Sequence, residues 1–393
     1  MTAVEGDLGE GSQFSARKYP KQEQEPASEE IFEIAPNILR LQLPISMPGL
    51  GHVNTYCIIS NDRVVLVDPG LPSKASYKAL RSRLKQAGLS LEKVRGVVVT
   101  HSHPDHYGGV RRLIEDSGAQ MIAQRDFGRL VMAPGVHECG ADLDTVHDHN
   151  HQHREQFRGI ENAFYVENFD RETWNGPVWL LPRPWNSKPL PPPISKAKIA
   201  AMKVGWRTYL KRILPPIPDM FLEDGQELEL AGGGMLWRAI HTPGHTLDHL
   251  CLYQPDLGLL ISGDHVLPTI TPHIPGVGGG PDSLAGFLGS LTKLESLGEV
   301  TKVLPAHGHP FDDLESRIST IVAHHDSRIV KIRKALDESG PMRVEDVSKV
   351  LFRPQRLGPM ADSEAFAHLE HMRLAGQVSH RVVNGEFVYE LVG

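Results

Sequence analysis

Apolar residues form short runs in the part of the chain that follows a polar N-terminal stretch. The sequence NTYCIIS (54–60), the pair Asn61–Asp62 and RVVLVDPG (63–70) predict two strands joined by a tight turn. ASYKALRSRLKQAG (75–88) has helical spacing and ends on a glycine, whereas VRGVVVT (94–100) predicts a buried strand. Strands that alternate with helices indicate an α/β core built of layers.

The second half of the chain returns to short apolar runs. A hairpin and a strand are predicted for QELELAGGGMLWRAIHTPGH (226–245), and a pair of strands for LCLYQPDLGLLISGDHVL (250–267). KVLPAHGHP (302–310) predicts one more short strand, and helical spacing over 314–336 predicts a long helix. Histidine or aspartate residues follow each of these runs, so polar groups are expected at the strand ends.

The end of the chain has the pattern of a separate small domain, over 341–393. Two helices are predicted, at 344–352 and 362–378, followed by a hairpin at 380–391 whose turn is Asn384–Gly385. This order is typical of a winged helix-turn-helix. Its longer helix is more acidic than basic, so we expect it to shape a substrate site or a dimer contact rather than bind DNA.

The composition narrows the class of protein. The chain has 393 residues, of which 40% are hydrophobic and 23% charged, so we expect a globular protein of two or three domains. Three widely spaced cysteines argue against a disulfide framework, and no apolar run approaches the roughly 20 residues that span a bilayer. Because the N-terminus also lacks a signal-peptide pattern, we expect a cytoplasmic protein without a membrane partner.

Two segments depart from the regular pattern. Residues 1–30 are polar and predict a disordered tail ahead of a main domain over 31–335. That domain is interrupted by an irregular, proline-rich insertion at about 134–218, which includes a histidine tract at 147–153 that predicts an exposed loop.

The second half of the insertion has an unusual charge balance. Residues 173–218 contain eight basic residues, no acidic residue and four of the five tryptophans, although the whole chain has a net charge of −7. This composition suits an anionic substrate with a flat or acyl part, such as a nucleotide, a coenzyme A thioester or single-stranded nucleic acid. It suits equally a structural arm that packs on the core or on the partner in a homodimer.

The densest group of candidate metal ligands is the motif HSHPDH, directly after the predicted buried strand. Its four ligand-type residues are His101, His103, Asp105 and His106. Imidazole and carboxylate groups bind zinc, iron or manganese. His101 and His103 alternate across an extended segment, whereas Pro104 begins a turn that aims the last two side chains at a second position. This spacing suits two adjacent metal ions.

Three further residues of the same types, His245, Asp264 and His307, follow strands elsewhere in the chain. Sites in α/β proteins assemble at strand ends, so we expect these residues to complete two metal sites with the HSHPDH motif. His249, four residues after His245, either faces the substrate or caps the start of the next strand.

Taken together, these motifs resemble the metallo-β-lactamase-fold superfamily of metal-dependent hydrolases, over residues 31–335. The resemblance implies an α/β fold, the αββα sandwich, with a dinuclear site at one edge. It implies one metal held by His101, His103 and His245, a second held by Asp105, His106 and His307, a bridging Asp264, and Asp105 and Asp264 as catalytic carboxylates. It also implies that Asp68, in the turn VDPG, orients a ligand histidine or the loop around it.

A narrower resemblance concerns the second half of the chain. TPGHTLDH, SGD and AHG, followed by a long helix and a winged-helix-like end, are similar to the lactamase-β-like and glyoxalase II-like subgroup, which acts on RNA or on ester-like small molecules. We therefore predict a hydrolase that uses a hydroxide bridging two metal ions, with two Zn²⁺ as the default and iron or manganese as alternatives.

We rank three hydrolytic reactions by how well the sequence supports them. Hydrolysis of an ester or thioester of an anionic small molecule comes first, phosphodiester or RNA cleavage second, and β-lactam hydrolysis after both. The alternative of another class is a metal-binding scaffold without catalysis, against which the bridging Asp264 weighs.

Overall fold

The protein is described from a computed structural model. The structure describes residues 21–47, 49–61, 63–127, 185 and 216–393. The predictions made for the histidine tract, and for all of the basic, tryptophan-rich segment except Trp185 and its last three residues, therefore lie outside the described residues. Among the described residues, no helix is long and apolar enough to cross a membrane.

The first sheet contains seven strands in the order of the chain. These are β1 (Phe32–Ala35), β2 (Ile38–Met47), β3 (Leu50–Ser60), β4 (Arg63–Val67), β5 (Val94–Val99), β6 (Gln120–Gln124) and β7 (Met220–Leu222). Strands β1 to β4 pair antiparallel, whereas β4 to β7 pair parallel, so β4, β5 and β6 all end at the same edge. Strands β4 and β5 are buried along most of their length, as their continuous apolar runs predict.

The second sheet has the order β12-β11-β10-β9-β8. Its strands are β8 (Glu227–Glu229), β9 (Leu236–His241), β10 (Leu250–Gln254), β11 (Leu259–Gly263) and β12 (Lys302–Pro305). Neighbouring strands are antiparallel except β11 and β12, which are parallel. The chain therefore leaves β11 and β12 at one edge of the sheet.

Helices cover the outer face of each sheet, and the inner faces pack on each other. The helices are α1 (Lys74–Gln86), α2 (Pro104–Tyr107), α3 (Val110–Ser117), α4 (Ser283–Glu295) and α5 (Leu314–Ser339). Leu80 of α1 and Leu113 of α3 belong to the core under the first sheet, and Phe287 of α4 and Ile318 of α5 to the core under the second. The predicted αββα sandwich is confirmed.

A smaller α+β unit follows α5. It contains β13 (Met342–Arg343), α6 (Val344–Leu351), α7 (Pro359–Leu374), β14 (Val378–Val383) and β15 (Glu386–Leu391), with strand order β13-β15-β14. The predicted helices and hairpin are present, but α7 begins three residues before the predicted start and ends at Leu374. Proline at the first helical position of α7 and the positive φ of 144° at Gly358 account for this earlier start. The winged-helix comparison stays a prediction.

The small unit shares a core with the rest of the chain. Ile332 and Leu336 of α5 pack in one cluster with Phe366 of α7 and Tyr389 of β15. Trp185 lies in the same cluster, with its ring centroid 4.6 Å from that of Phe366. Trp185, a described residue of the inserted segment, therefore packs against the C-terminal unit.

The prediction of a disordered tail through residue 30 is wrong for residues 21–30. This segment includes the short 3-10 helix Gln22–Gln24, in which Glu23 is completely buried. Composition alone treats a glutamate as solvated, whereas here the carboxylate is buried because it accepts hydrogen bonds from a loop 246 residues further along the chain.

Candidate metal centre

The structure brings all seven predicted ligand residues together at the strand ends. His101 follows β5, and Asp105 and His106 lie in α2, which begins at Pro104. His245 follows β9, Asp264 follows β11 and His307 follows β12. Both sheets deliver these residues to the same edge of the sandwich, so residues up to 206 positions apart become neighbours. All of them are buried except the half-buried His103.

The first group consists of His101, His103, His245 and Asp264, whose ligand atoms lie within 4.8 Å of one another. His103 Nδ1 is 3.0 Å from His101 Nε2 and 3.1 Å from His245 Nε2. Imidazole nitrogens that converge in this way are the type of ligand that a divalent metal site requires.

The second group consists of Asp105, His106 and His307, whose ligand atoms also lie within 4.8 Å of one another. Asp105 Oδ2 is 3.7 Å from His106 Nε2 and 3.5 Å from His307 Nε2.

Asp264 lies between the two groups. Its Oδ2 is 3.6 Å from His245 Nε2 of the first group and also 3.6 Å from His106 Nε2 of the second. Its Oδ1 is 3.3 Å from His307 Nε2. One carboxylate therefore faces the ligand atoms of both groups.

The polar atoms that face one another at this site fit a bound cation. His106 Nε2, His307 Nε2 and Asp264 Oδ1 are buried, yet none has a hydrogen-bond partner of suitable geometry. Buried polar atoms without partners are unfavourable unless another group satisfies them. Nitrogen and carboxylate donors of this kind are the ligands that divalent zinc, iron or manganese prefers.

The remaining ring nitrogens of the histidines are held by other protein groups. His106 Nδ1 donates to Asp68 Oδ2 at 2.8 Å, and His101 Nδ1 lies 3.0 Å from Thr100 Oγ1. His245 Nδ1 donates to the carbonyl of His273 at 2.8 Å, and His307 Nδ1 to the carbonyl of His52 at 2.7 Å. Such partners fix the ring orientation, so that the other nitrogen is directed into the site.

Asp68 shows the geometry expected of a residue that orients a ligand. Its backbone has a φ of 55°, a left-handed conformation that is uncommon for a residue other than glycine. The side chain accepts from Thr100 N at 2.8 Å and Thr100 Oγ1 at 2.7 Å in addition to His106. The unusual backbone conformation is therefore stabilised by three hydrogen bonds, one of which reaches a candidate ligand.

His249 does not face the substrate side. The ring is completely buried, its Nδ1 is 2.7 Å from Thr242 Oγ1, and its Nε2 accepts from the backbone N–H of Asp264 at 3.1 Å. Its contact with Thr242, beside the start of β10, agrees with the capping role that the sequence left open, and the bond to Asp264 is a further role. His249 holds the start of the loop that carries Asp264.

The pKa values of the candidate ligands differ between the two groups. Burial, followed by neighbouring imidazoles, holds the pKa of His101 and that of His103 well below the usual range, so both rings are neutral at pH 7. Burial opposes ionisation of Asp264, but His307 and His106 hold the pKa of its carboxyl well below the ordinary value. The first group therefore presents neutral His101 and His103 rings and an ionised carboxylate, the forms that coordinate a metal. In the second group burial lowers the pKa of His106 and of His307, but the carboxylates beside them, Asp105 for His106 and Asp264 for His307, outweigh burial and raise both values.

Two features of the site carry no side-chain signature in the sequence. The carbonyls of His52 and His273 hold candidate ligands, but every residue has a carbonyl group. Only the strand register, which places Pro44 opposite His52 in the β2–β3 pair, and the loop that precedes α4 bring them there.

Comparison with known protein families shows which superfamily the chain belongs to. The model of the metallo-beta-lactamase superfamily matches residues 48–134 and 176–307, more than half of the chain. The chain belongs to this superfamily. The resemblance inferred from the motifs is therefore confirmed at the level of the superfamily, whose members are typically metal-dependent hydrolases that bind divalent metals.

Curated relatives in this superfamily are distant. A lactamase-like protein of Aspergillus fumigatus is 34% identical over 128 residues, which are 33% of this chain and 36% of that protein. The match therefore spans about a third of the length of that relative. A beta-lactamase-like protein 2 homolog of Caenorhabditis elegans is 22% identical over 310 residues, covering 79% of this chain and 72% of the relative. A probable metallo-hydrolase of Bacillus subtilis is 23% identical over 323 residues, covering 80% and 85%.

Solved structures in the superfamily share the fold. A metallo-beta-lactamase family protein from Thermus thermophilus has a TM-score of 0.66 at 24% identity and covers 92% of this chain and 100% of its own. A beta-lactamase domain protein from Burkholderia ambifaria has a TM-score of 0.65 at 24% identity and covers 95% and 98%. Both alignments extend over more than nine-tenths of this chain.

Proposed function

We propose that the protein is a hydrolase with two divalent metal ions. Each ligand group would hold one ion, and the Asp264 carboxylate would serve both. The observation that carries this proposal is the position of the Asp264 carboxylate, with one oxygen 3.6 Å from a histidine of each group. A scaffold that only stores metal has no need of a carboxylate shared between two sites. Two ions bound in this way would lower the pKa of a shared water and polarise the scissile bond.

Each group of candidate ligands would bind one metal ion. His101, His103 and His245 would hold one ion, and Asp105, His106 and His307 the other. The hydrogen bonds to Asp68, His52 and His273 would keep three of these rings oriented before a ligand arrives, so that little reorganisation is needed.

A cysteine nucleophile is not part of this proposal. Cys251 lies in the buried strand β10, and burial raises the pKa of its thiol to about 12. Its sulfur is 3.3 Å from Thr242 Oγ1, away from the ligand atoms. A thiol in this environment stays protonated and behaves as a small apolar residue.

Zinc is the metal that we propose, because imidazole nitrogens predominate among the ligands; iron or manganese would fit the same set. Metal analysis of the protein purified without added metal is expected to give two equivalents per chain. Retention of one equivalent, with the Asp105 group empty, would contradict the dinuclear part of the proposal.

An ester or thioester of an anionic small molecule, such as a nucleotide-like or coenzyme A-like compound, is the substrate class that we propose. The support is the sequence of residues 173–218, which has eight basic residues and no acidic one. Neutralising Lys203, Arg207, Lys211 and Arg212 together is expected to raise KM for an anionic thioester and to leave turnover of a small neutral ester unchanged. An unchanged KM with an altered oligomeric state would instead identify the segment as a homodimer interface.

Phosphodiester cleavage is the second candidate, and a separate surface favours it. Lys74, Lys78, Arg81 and Lys85 recur at helical spacing on α1, are exposed, and span roughly 17 Å of the helix. They line a groove of about 750 Å³ together with Arg112 and one carboxylate, that of Glu92. Among the described residues, no ion pair engages the four cations of α1, so they are available to a chain of phosphates such as RNA.

One panel of substrates distinguishes these proposals. The metal-loaded protein is assayed with a thioester, a phosphodiester and a β-lactam, each beside a matched Asp264→Asn variant. Turnover of the thioester that the variant lacks supports the leading proposal, and turnover of the phosphodiester alone supports the second. A fully metallated protein that turns over nothing in a wide panel would favour the scaffold.

A further inference from the structure

The N-terminal segment 21–30 lies against two loops that support the metal centre. Its central residue is Glu23, a carboxylate with no exposed surface. Glu23 Oε1 accepts from Thr269 N at 2.8 Å and from Ile270 N at 3.1 Å, and Oε2 accepts from the Thr269 hydroxyl. A buried carboxylate that receives three hydrogen bonds from one loop fixes the backbone of that loop.

The loop that Glu23 holds leads directly to a candidate ligand. Arg317 of α5 donates to the carbonyls of Leu267 and Ile270, each at 2.6 Å, and so also holds the loop. Three residues after Ile270, the carbonyl of His273 accepts from His245 Nδ1 at 2.8 Å. The orientation of the His245 ring therefore depends on the position of a loop that Glu23 and Arg317 hold.

The same segment also contacts the loop of the second ligand group. The carbonyl of Glu25 is 2.8 Å from His52 Nδ1, and His52 Nε2 accepts from Gly308 N at 3.1 Å. His307, next to Gly308, donates to the carbonyl of His52 at 2.7 Å. A side chain on Gly308 would lie 2.6 Å from Pro268, so the two loops touch each other beneath the segment.

We propose that Glu23 is a positioning residue for the metal centre, which acts through the 267–273 loop on His245 and thereby sets the affinity for the first metal ion. This inference rests on the metal centre of the proposed function. Glu23 contacts no candidate ligand itself, and its effect is transmitted by the backbone of the loop. Removal of a group that directly orients a metal ligand typically lowers metal affinity 10–100-fold. For Glu23, which acts one step further away, we expect the lower end of that range, about tenfold.

The test compares five variants of the full chain. Glu23→Ala removes all three hydrogen bonds, whereas Glu23→Gln keeps an oxygen for the two backbone N–H groups. Thr269→Val removes only the hydroxyl that donates to Glu23. Residue 269 is exposed, so a folding defect is not expected. Thr269→Ser keeps the hydroxyl. Glu30→Ala, an exposed glutamate of the same segment, is the matched control.

Two measurements are made on each variant. Competition of the zinc-loaded protein with a chelator gives the dissociation constants of the two ions, and hydrogen exchange of the metal-free protein reports the backbone of residues 267–273. We expect Glu23→Ala to weaken one zinc ion about tenfold and to speed exchange of the loop. Glu23→Gln and Thr269→Val should have smaller effects, and Thr269→Ser and Glu30→Ala none.

The outcomes separate this inference from the proposed function. Unchanged zinc affinity in Glu23→Ala, with a loop that exchanges faster, would overturn the positioning role and leave a purely structural contact. Equal weakening by Glu30→Ala would overturn it as well. If the wild-type protein binds two zinc ions but hydrolyses nothing, the proposed hydrolase fails, while the affinity ratio between variants still tests Glu23.

Discussion

Asp68→Asn is the substitution that tests the support of the metal centre most directly. Asn has nearly the shape of Asp and also tolerates the left-handed backbone found at this position, where φ is 55°. The aspartate accepts on Oδ1 from Thr100 N, and on Oδ2 from Thr100 Oγ1 and His106 Nδ1. Whichever way the asparagine amide is turned, its NH₂ group faces an N–H donor that loses its acceptor.

The size of the effect follows from these contacts. A buried donor left without an acceptor costs about 1–3 kcal/mol, so we expect the free energy of unfolding of the metal-free protein to fall by that amount. If His106 Nδ1 is the donor that loses its acceptor, metal affinity at the second group should fall about 10–100-fold. Asp68→Ala should be worse on both counts, because it removes all three hydrogen bonds and leaves alanine in a left-handed conformation.

The assay combines denaturant unfolding of the metal-free protein with chelator competition of the metal-loaded protein. Asp116→Asn is the matched control, since that carboxylate accepts from Tyr77 Oη at 2.6 Å on the helix side of the first sheet. Wild-type metal affinity in Asp68→Ala, which removes the acceptor of His106 in every case, would refute the reasoning, because it would show that the orientation of His106 does not depend on this carboxylate.

Three further predictions concern the site and the C-terminal unit. Asp264→Ala should reduce affinity for both metal ions, because its oxygens face both ligand groups, and a fully metallated and active variant would contradict the shared carboxylate. Chelation should remove activity and two equivalents of metal together, and full restoration by one equivalent would contradict a dinuclear centre. Burial would raise the pKa of Glu364, but a hydrogen bond from His273 and the charge of Arg328 lower it to about 2. Because this value lies below the unfolded one, the carboxylate stabilises the fold by about 3 kcal/mol above pH 5, and this stability is lost as pH falls toward 2. Unfolding of metal-free wild type and Glu364→Gln should therefore differ most at neutral pH and converge in acid, and a constant difference would argue against this linkage.

Local sequence determined the strands, most helices and the chemistry of the site. HSHPDH places four ligand-type residues within six positions after a strand, and the valine run 97–99 just before it is the pattern of a strand buried on both faces. Helix α4 escaped prediction, because Gly286 and Gly289 interrupt a segment that is otherwise largely apolar.

Tertiary structure decided which groups support the candidate ligands. His245, Asp264 and His307 meet the HSHPDH motif only because the two sheets end at one edge, a consequence of strand order across more than 200 residues. The carbonyls of His52 and His273 are backbone groups and leave no trace in the sequence, whereas Asp68 could be predicted because its side chain belongs to a motif. Glu23 was assigned to a disordered tail, since composition cannot show that a polar residue finds three buried donors. The sequence records which chemical groups a chain carries, and the packing of distant segments decides which of those groups leave water and act on one another.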